Sequence, residues 1–174
     1  MHGPQDRGAA PARRLPAAVD VLIVGAGPHG LAMASRMLLG EQALQDCTNT
    51  YREVKDVKEH LSTTRHASTR TFAVVDACGA WMRRWKHQFD VLGIEYLRSN
   101  DGMHPDAFAS STLAVWATMN QRLDFLTLSS LPTGFHGNFK APSNRLMLDF
   151  CSRLVELGRL DDHLWQGRGE GLEP

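Results

Sequence analysis

The chain has 174 residues, about the length of one domain. Of these, 43% are hydrophobic and 22% are charged, a composition that excludes collagen, a coiled coil and disorder throughout. The 19 lysines and arginines balance the 19 aspartates and glutamates. This absence of a basic excess argues against a dedicated nucleic-acid binder. No uncharged apolar run reaches the ~18 residues that a membrane-spanning helix requires, so no membrane partner is expected.

The cysteines and the N-terminal segment bear on the cellular compartment. Three widely spaced cysteines form neither a disulfide framework nor a C-x-x-C motif, which favours a reducing, cytoplasmic location. Residues 1–18 are rich in alanine, proline and arginine; they predict a disordered leader, with an organellar targeting segment as the alternative. The eight histidines lack metal-ligand spacing, so no metal site is predicted.

The first predicted elements are a strand, a turn and a helix. Residues 19–24 form a β-branched run typical of a buried strand, and residues 31–39 are compatible with a helix that Gly40 can end. Between them lies a motif of the form G-x-G-x-x-G, which consists of Gly25, Ala26, Gly27, Pro28, His29 and Gly30. This context, a strand before and a helix after, is the one that dinucleotide binding requires.

Each glycine of this motif has a physical role in such a site. Gly25 permits a tight turn out of the strand, Gly27 lets the backbone approach a pyrophosphate, and Gly30 lets the helix pack against the strand. The free N–H groups of the first helical turn and the positive end of the helix dipole then face the phosphates. The motif therefore predicts dinucleotide binding; the alternative is a glycine-rich turn without a ligand.

A dinucleotide site also needs an acid that accepts hydrogen bonds from a ribose. Asp46 has the usual spacing of about 20 residues from Gly25, but no strand leads into it. Asp76 ends a convincing second strand over residues 71–76, although it lies much further along the chain. We favour Asp76, because strand context fixes geometry and spacing does not if residues 41–70 are an insertion. Asp46 remains the alternative, and Asp76 could instead only initiate the turn at Gly79.

The remaining elements follow from periodicity and turn residues. One exposed amphipathic helix is predicted within the polar segment 41–70. A helix bearing Trp81, Trp85, Phe89 and Leu92 is predicted next, and Gly93 ends it. It is followed by a short extended segment at 94–97, a loop at 98–111, a helix and then an extended piece within 113–128, and a loop at 132–142. The final predicted helix is capped by Ser143 and ended by Gly158, and its apolar stripe consists of Met147, Phe150, Cys151, Leu154 and Leu157.

Several of these pieces together resemble one group of flavoproteins. The segments that show this resemblance are the run from Val19 through the glycine motif, Asp-Ala-Cys-Gly-Ala-Trp at 76–81, Trp85, Phe89, Tyr-Leu-Arg-Ser at 96–99, His-Pro-Asp at 104–106 and the Pro-Ser turn and helix at 142–157. They are similar to FAD/NAD(P)-binding flavoproteins of the lysine/ornithine N-monooxygenase type. The resemblance covers most of residues 19–158 in pieces.

The resemblance implies FAD as cofactor, NADPH as its reductant and a small nucleophilic substrate that is hydroxylated. The resemblance also implies that the glycine motif holds the pyrophosphate and that Asp76 binds the adenosine ribose. Arg98, Ser99 and His104 would lie nearer the flavin ring or the substrate. The alternatives are a surface ion pair for Arg98 and a plain loop position for His104.

The chain also departs from that family. Members are longer and carry a second glycine fingerprint for NADPH, whereas nothing after Gly30 repeats the strand, motif and helix. The predicted fold is therefore α/β: an incomplete, Rossmann-like FAD-binding βαβ domain over residues 19–174, resembling the N-terminal part of such an enzyme. A non-catalytic dinucleotide-binding module and a truncated fragment are the alternative functions.

Overall fold

The protein is α/β, with a small parallel sheet and five α-helices among the described residues. The computed structural model describes residues 14–39, 53–62, 70–122, 124–127 and 140–168. The elements in chain order are β1 Val21–Val24, α1 Pro28–Met37, α2 Val54–His60, β2 Phe72–Asp76, α3 Arg83–Leu92, α4 Thr112–Met119, β3 Phe125–Thr127, β4 Lys140–Pro142, α5 Asn144–Gly158, a 3₁₀ turn Leu160–His163 and β5 Leu164–Gln166.

The main sheet has three parallel strands in the order β1, β2, β5. Val21 pairs with Phe72 at one end of the β1–β2 ladder, and Val24 pairs with Val75 at the other. The central strand β2 buries its first four side chains, as expected for a strand with neighbours on both sides. The two predicted strands are confirmed within two residues. The third, β5, was not predicted, because three residues are too few to show a period.

Helices α1 and α5 contact each other and supply much of the core. Leu31 of α1 and Phe150 of α5 are fully buried, and each such side chain contributes about 1.5–3 kcal/mol. The predicted apolar stripe of α5 is buried along its whole length. Its predicted cap is confirmed, since the Ser143 hydroxyl accepts a hydrogen bond from the Leu146 N–H at 3.0 Å.

α5 ends at Gly158, as predicted, but the chain turns at the next residue. Arg159, not the glycine, adopts the left-handed conformation, with φ 48°. Gly158 is the last helical residue and is buried. A Cβ atom there would lie 2.5 Å from Leu38 Cδ1. The glycine therefore serves close packing of α5 against the end of α1.

The amphipathic helix predicted within 41–70 exists as α2, but it is not the exposed helix that was expected. Val57, His60 and Leu61 are buried, and α2 contacts α4. The His60 ring also stacks on Phe108, with 3.7 Å between ring centroids. The described part of the segment is therefore packed into the domain. The polar composition of the segment did not predict this burial, because three buried positions within ten residues are enough to pack α2 against the rest of the domain.

The remaining elements differ from prediction mainly at their ends. α3 begins at Arg83, after Met82 in a left-handed conformation, and ends at Gly93 as predicted. α4 followed by β3 confirms the helix and extended piece. The loop predicted over 132–142 is wrong at its end, because β4 pairs antiparallel with β3 there.

Some expectations fall outside the described residues. These are Gly40, Asp46 and positions 1–13 of the predicted leader. Positions 14–18 are exposed and contain neither helix nor strand. None of the described helices combines the length and apolarity needed to cross a bilayer.

Candidate functional site

The glycine motif lies where β1 gives way to α1. The Gly25 N–H donates to the Val75 carbonyl at 2.8 Å, and Gly25 has φ 102°, a conformation that side-chain-bearing residues rarely adopt. α1 begins at Pro28, three residues earlier than predicted. Proline suits this first helical position, because it has no N–H to leave unpaired. The predicted strand, turn and helix are therefore confirmed.

The other two glycines of the motif have opposite surroundings. A Cβ atom on Gly30 would lie 1.9 Å from the Gly25 carbonyl oxygen and 3.6 Å from Ile23 Cγ2. A Cβ atom on Gly27 would meet no atom of the described residues within 4 Å. Gly30 thus permits the helix to approach the strand, while Gly27 faces open space. This is the division of roles that the motif requires for close approach of a ligand to the backbone.

The N-terminus of α1 offers unpaired donors. Its N-cap is Gly27, which has no side chain to cap the helix, and its first turn contains no acidic residue. The N–H groups of His29 and Gly30 have no acceptor within the helix, because the first turn lies beyond its ladder. The His29 side chain is exposed. Donors and the positive end of the helix dipole therefore face the same open space.

Asp76 joins this turn through its carboxylate. Pairing of β2 with β1 brings it beside the motif, where its Oδ2 accepts a hydrogen bond from the Ala26 N–H at 3.0 Å. Its Oδ1 accepts one from the Cys78 N–H at 2.7 Å. A carboxylate has about four acceptor positions, so two remain for a ligand. The length of segment 41–70 does not keep Asp76 away from the glycine motif, because the pairing of β2 with β1 places Asp76 there whatever the spacing in the sequence.

Three further contacts stabilise the turns that hold the glycine motif and Asp76. The Met82 N–H donates to the Ala26 carbonyl at 2.7 Å, and the Gly167 N–H donates to the Asp76 carbonyl at 3.0 Å. Gly79, the predicted turn residue, has φ 59°, and a Cβ atom there would lie 2.8 Å from Gln166 Cβ. Sequence reasoning missed these roles of Met82, Gln166 and Gly167. They become visible only once β5 is known to lie beside β2.

Arg98 and Ser99 lie beside β4. The Leu97 N–H donates to the Pro142 carbonyl at 3.0 Å, and the Asp101 N–H donates to the Lys140 carbonyl at 2.9 Å. Arg98 is exposed and forms no ion pair with any described residue, so its surface ion-pair alternative gains no support. None of these hydrogen bonds links the segment to the glycine motif. Its role near a flavin remains a prediction from the resemblance.

His104 uses both ring nitrogens inside its own loop. Nδ1 accepts a hydrogen bond from the Asp106 N–H at 3.2 Å, so Nε2 carries the proton that is donated to the Ser110 carbonyl at 3.2 Å. The ring also packs edge-on against Phe150. Burial lowers the pKa of His104, which favours this neutral form. These contacts give His104 a loop-stabilising role; a role toward a ligand remains a prediction.

Comparisons with known proteins provide no family for the chain. No protein-family model, no curated protein and no solved structure matches it. Within the described ranges, no three His, Cys, Asp or Glu side chains converge to hold a metal ion. The functional conclusion therefore depends on the geometry at the glycine motif.

Proposed function

We propose that the glycine motif binds the diphosphate of an adenine dinucleotide, FAD, and that the protein is an FAD-dependent, NADPH-using oxidoreductase of the monooxygenase type acting on a small nucleophilic substrate. One observation carries the proposal: Gly27 faces open space while Gly30 is closed against Gly25, with the Asp76 carboxylate beside them. An ordinary turn has no need for both features at once.

The open space in front of Gly27 suits an anion. The first-turn N–H groups of α1 lack intrahelical acceptors, and no acidic side chain in that turn competes for them. A diphosphate placed there accepts hydrogen bonds from the backbone and gains from the helix dipole. With no Cβ on Gly27, phosphate oxygens can reach hydrogen-bonding distance of these donors.

Asp76 suits a ribose. An ionised carboxylate only accepts hydrogen bonds, and ribose hydroxyls can donate to the two acceptor positions that Ala26 and Cys78 leave unused. The two backbone N–H donors hold the carboxylate in place before a ligand arrives. Such preorganisation lowers the entropic cost of binding.

The choice of FAD among adenine dinucleotides comes from the resemblance, because the same turn serves FAD and NAD. FAD, when bound, supplies the redox and oxygen chemistry, which is the cofactor's own. The residues of this chain would bind and orient it: the motif at the diphosphate, Asp76 at the ribose. Arg98, Ser99 and His104 are proposed to lie nearer the flavin or the substrate.

A second candidate function is dinucleotide binding without catalysis. β1 pairs only with β2 among the described residues, and its Leu22 and Val24 side chains are 40% and 59% exposed. In open α/β sheets the ligand lies in the crevice where the strand order reverses, between strands on both sides. The described residues build one side of that crevice. This arrangement favours a binding module that requires a further unit for turnover.

The binding proposal is tested with Gly27→Ala. Its backbone φ of −83° suits alanine, and its Cβ would meet no atom in the part of the chain that the structure describes, so the variant should fold normally. Its methyl group should obstruct phosphate approach and weaken FAD binding at least about tenfold. Flavin fluorescence during titration of the purified chain gives the affinity. Gly93→Asn is the matched control, because Gly93 also faces open space and asparagine tolerates its left-handed conformation.

Equal FAD affinity of wild type and Gly27→Ala would contradict the proposed phosphate site. An NADPH-oxidation assay of the FAD-loaded chain then separates the two candidate functions. Turnover supports the oxidoreductase, whereas tight FAD binding without NADPH oxidation supports the binding module. A chain without a cooperative melting transition would instead support a fragment that does not fold alone.

A further inference from the structure

A cleft of about 470 Å³ lies between α3 and α5, and it takes none of its lining from the glycine motif. Trp81 and Leu148 supply apolar wall, and Arg83, Asn144 and Arg145 supply polar groups. A cavity of this size falls within the range of small-molecule sites.

Asn144 lines this cleft and has a side-chain amide of fixed orientation. Its side chain is almost completely buried, with 8% exposure, and its Oδ1 accepts a hydrogen bond from Trp85 Nε1 at 3.1 Å. An indole N–H can only donate, so the amide cannot be flipped and its Nδ2 group must point away from Trp85. Nδ2 donates to no described residue and is not fully enclosed. Asn144 lines both this cleft and the neighbouring one beside Glu95 and Asp124.

The charges at the cleft leave two cations without a counter-ion. Arg83 and Arg145 are exposed and form no ion pair with a described residue. The carboxylates are already engaged: Asp90 pairs with Lys86 on α3, and Asp149 pairs with Arg122 at 2.8 Å. The charged groups at the cleft that lack an ion-pair partner among the described residues are therefore cations.

The start of α5 adds to this preference. Asn144 and Arg145 occupy its first turn, which contains no acidic residue. The positive end of the helix dipole therefore lies next to the Asn144 amide and the Arg145 residue. A buried amide held by a tryptophan, two unpaired cations and a helix N-terminus all favour a negatively charged ligand.

We propose that this cleft binds a small organic oxyanion, with a carboxylate or phosphate head at Asn144 Nδ2, Arg83 and Arg145 and an apolar body against Trp81 and Leu148. Guanidinium groups match both head groups through paired N–H donors. The apolar wall favours such a ligand over an inorganic ion, which would not contact Trp81 and Leu148.

Asn144→Asp tests the proposal. Aspartate keeps an oxygen for Trp85 and is favourable in the first turn of a helix, so the fold should persist. The variant replaces the Nδ2 donor with an anionic oxygen, and it should weaken oxyanion binding at least about tenfold. Gln88→Glu is the matched control: it makes the same charge change on exposed α3 surface outside the cleft, and its affinity should stay within about twofold of wild type.

The probes are benzoate and phenyl phosphate, with benzyl alcohol as the uncharged analogue, in an amide and indole chemical-shift titration of the full chain. Saturable shifts at Trp81, Trp85 and the start of α5 with either anion, and none with benzyl alcohol, are expected. The tighter of the two anions identifies the head group.

Absence of saturable shifts at the cleft with both anions would overturn the proposal, as would undiminished binding by Asn144→Asp. Should that variant fail to fold, the double variant Arg83→Gln and Arg145→Gln alters only exposed side chains. It must lose affinity at least about fivefold, and unchanged affinity would equally overturn the site.

Discussion

Gly30 packs directly on the carbonyl group of Gly25, so that a Cβ atom at Gly30 would lie 1.9 Å from that oxygen. The contacting atom is backbone at a turn held by the Val75 carbonyl, and it cannot move aside as a flexible side chain can. We therefore expect Gly30→Ala to destabilise the fold by about 3 kcal/mol, the upper part of the range for overpacking. Urea unfolding monitored by tryptophan fluorescence measures the change.

The control for this prediction is Gly27→Ala, which adds the same methyl group in the same motif. Its Cβ would lie more than 4 Å from every atom of the described segments, so its free energy of unfolding should stay within about 0.5 kcal/mol of wild type. If both variants were equally stable, the close contact between α1 and the end of β1 would be disproved.

Asp76 should stabilise the turn even without a ligand. In Asp76→Asn, the amide nitrogen would face either the Ala26 or the Cys78 N–H, two donors that the carboxylate now satisfies. Hydrogen bonds to charged groups contribute about 1.5–3 kcal/mol, and partial exposure lowers this, so we expect a loss of about 1–2 kcal/mol. Urea unfolding gives the value, with Asp161→Asn on the exposed 3₁₀ turn as control. If Asp76→Asn and Asp161→Asn lowered the free energy of unfolding equally, Asp76 would have no specific role in stabilising the turn.

Local signals in the sequence predicted the centre of this site well. The β-branched run before Gly25, the glycine spacing and the acid at the end of the second strand each reflect short-range geometry. Ser143 as a cap and Gly93 as a helix end succeeded for the same reason. In each case the residue type itself satisfies the backbone requirement.

Features that depend on contacts between distant segments were missed. β5 has three residues and no period, so only its pairing with β2 identifies it. The burial of α2 depends on α4 and the loop before it, which a polar composition does not reveal. Gly158 is the helix end that was predicted, but its packing against Leu38 was not.

The pair His60–Asp106 should connect α2 to the loop that precedes α4. Nε2 and Oδ2 lie 2.8 Å apart, and the two side chains are only 4% and 0% exposed. Removing one partner takes a buried hydrogen bond from the other, so His60→Ala and Asp106→Ala should each cost about 3 kcal/mol. The double variant should cost clearly less than the sum of the two, with a coupling energy of about 1 kcal/mol or more. Strictly additive losses would show that the pair contributes no mutual stabilisation.

His104 should make stability depend on pH. Burial lowers the pKa of His104 below its ordinary 6.5, so the unfolded chain binds a proton more readily than the folded one. The stabilisation is then fully present above pH 6.5 and is lost as the pH falls from 6.5 through the folded pKa. Comparing urea unfolding of wild type and His104→Gln at several pH values isolates this residue, because the other histidines are common to both. A difference between the two proteins that does not change with pH would contradict it.

Cys151 should be chemically inert in the folded protein. Burial raises the pKa of its thiol to about 12 from 9.0, which lowers the thiolate fraction near pH 8 on the order of a thousandfold, since each pKa unit is a factor of ten. Cys78 lies half-buried in the turn after β2, where solvent and reagents can reach it. In a Cys47→Ser background, a thiol-specific chromogenic reagent should therefore modify one cysteine in the native protein and the second only on unfolding. Adding Cys78→Ser isolates Cys151. Its modification rate then reports how often α5 leaves the core, and native reactivity equal to that of Cys78 would show that α5 does not pack there stably.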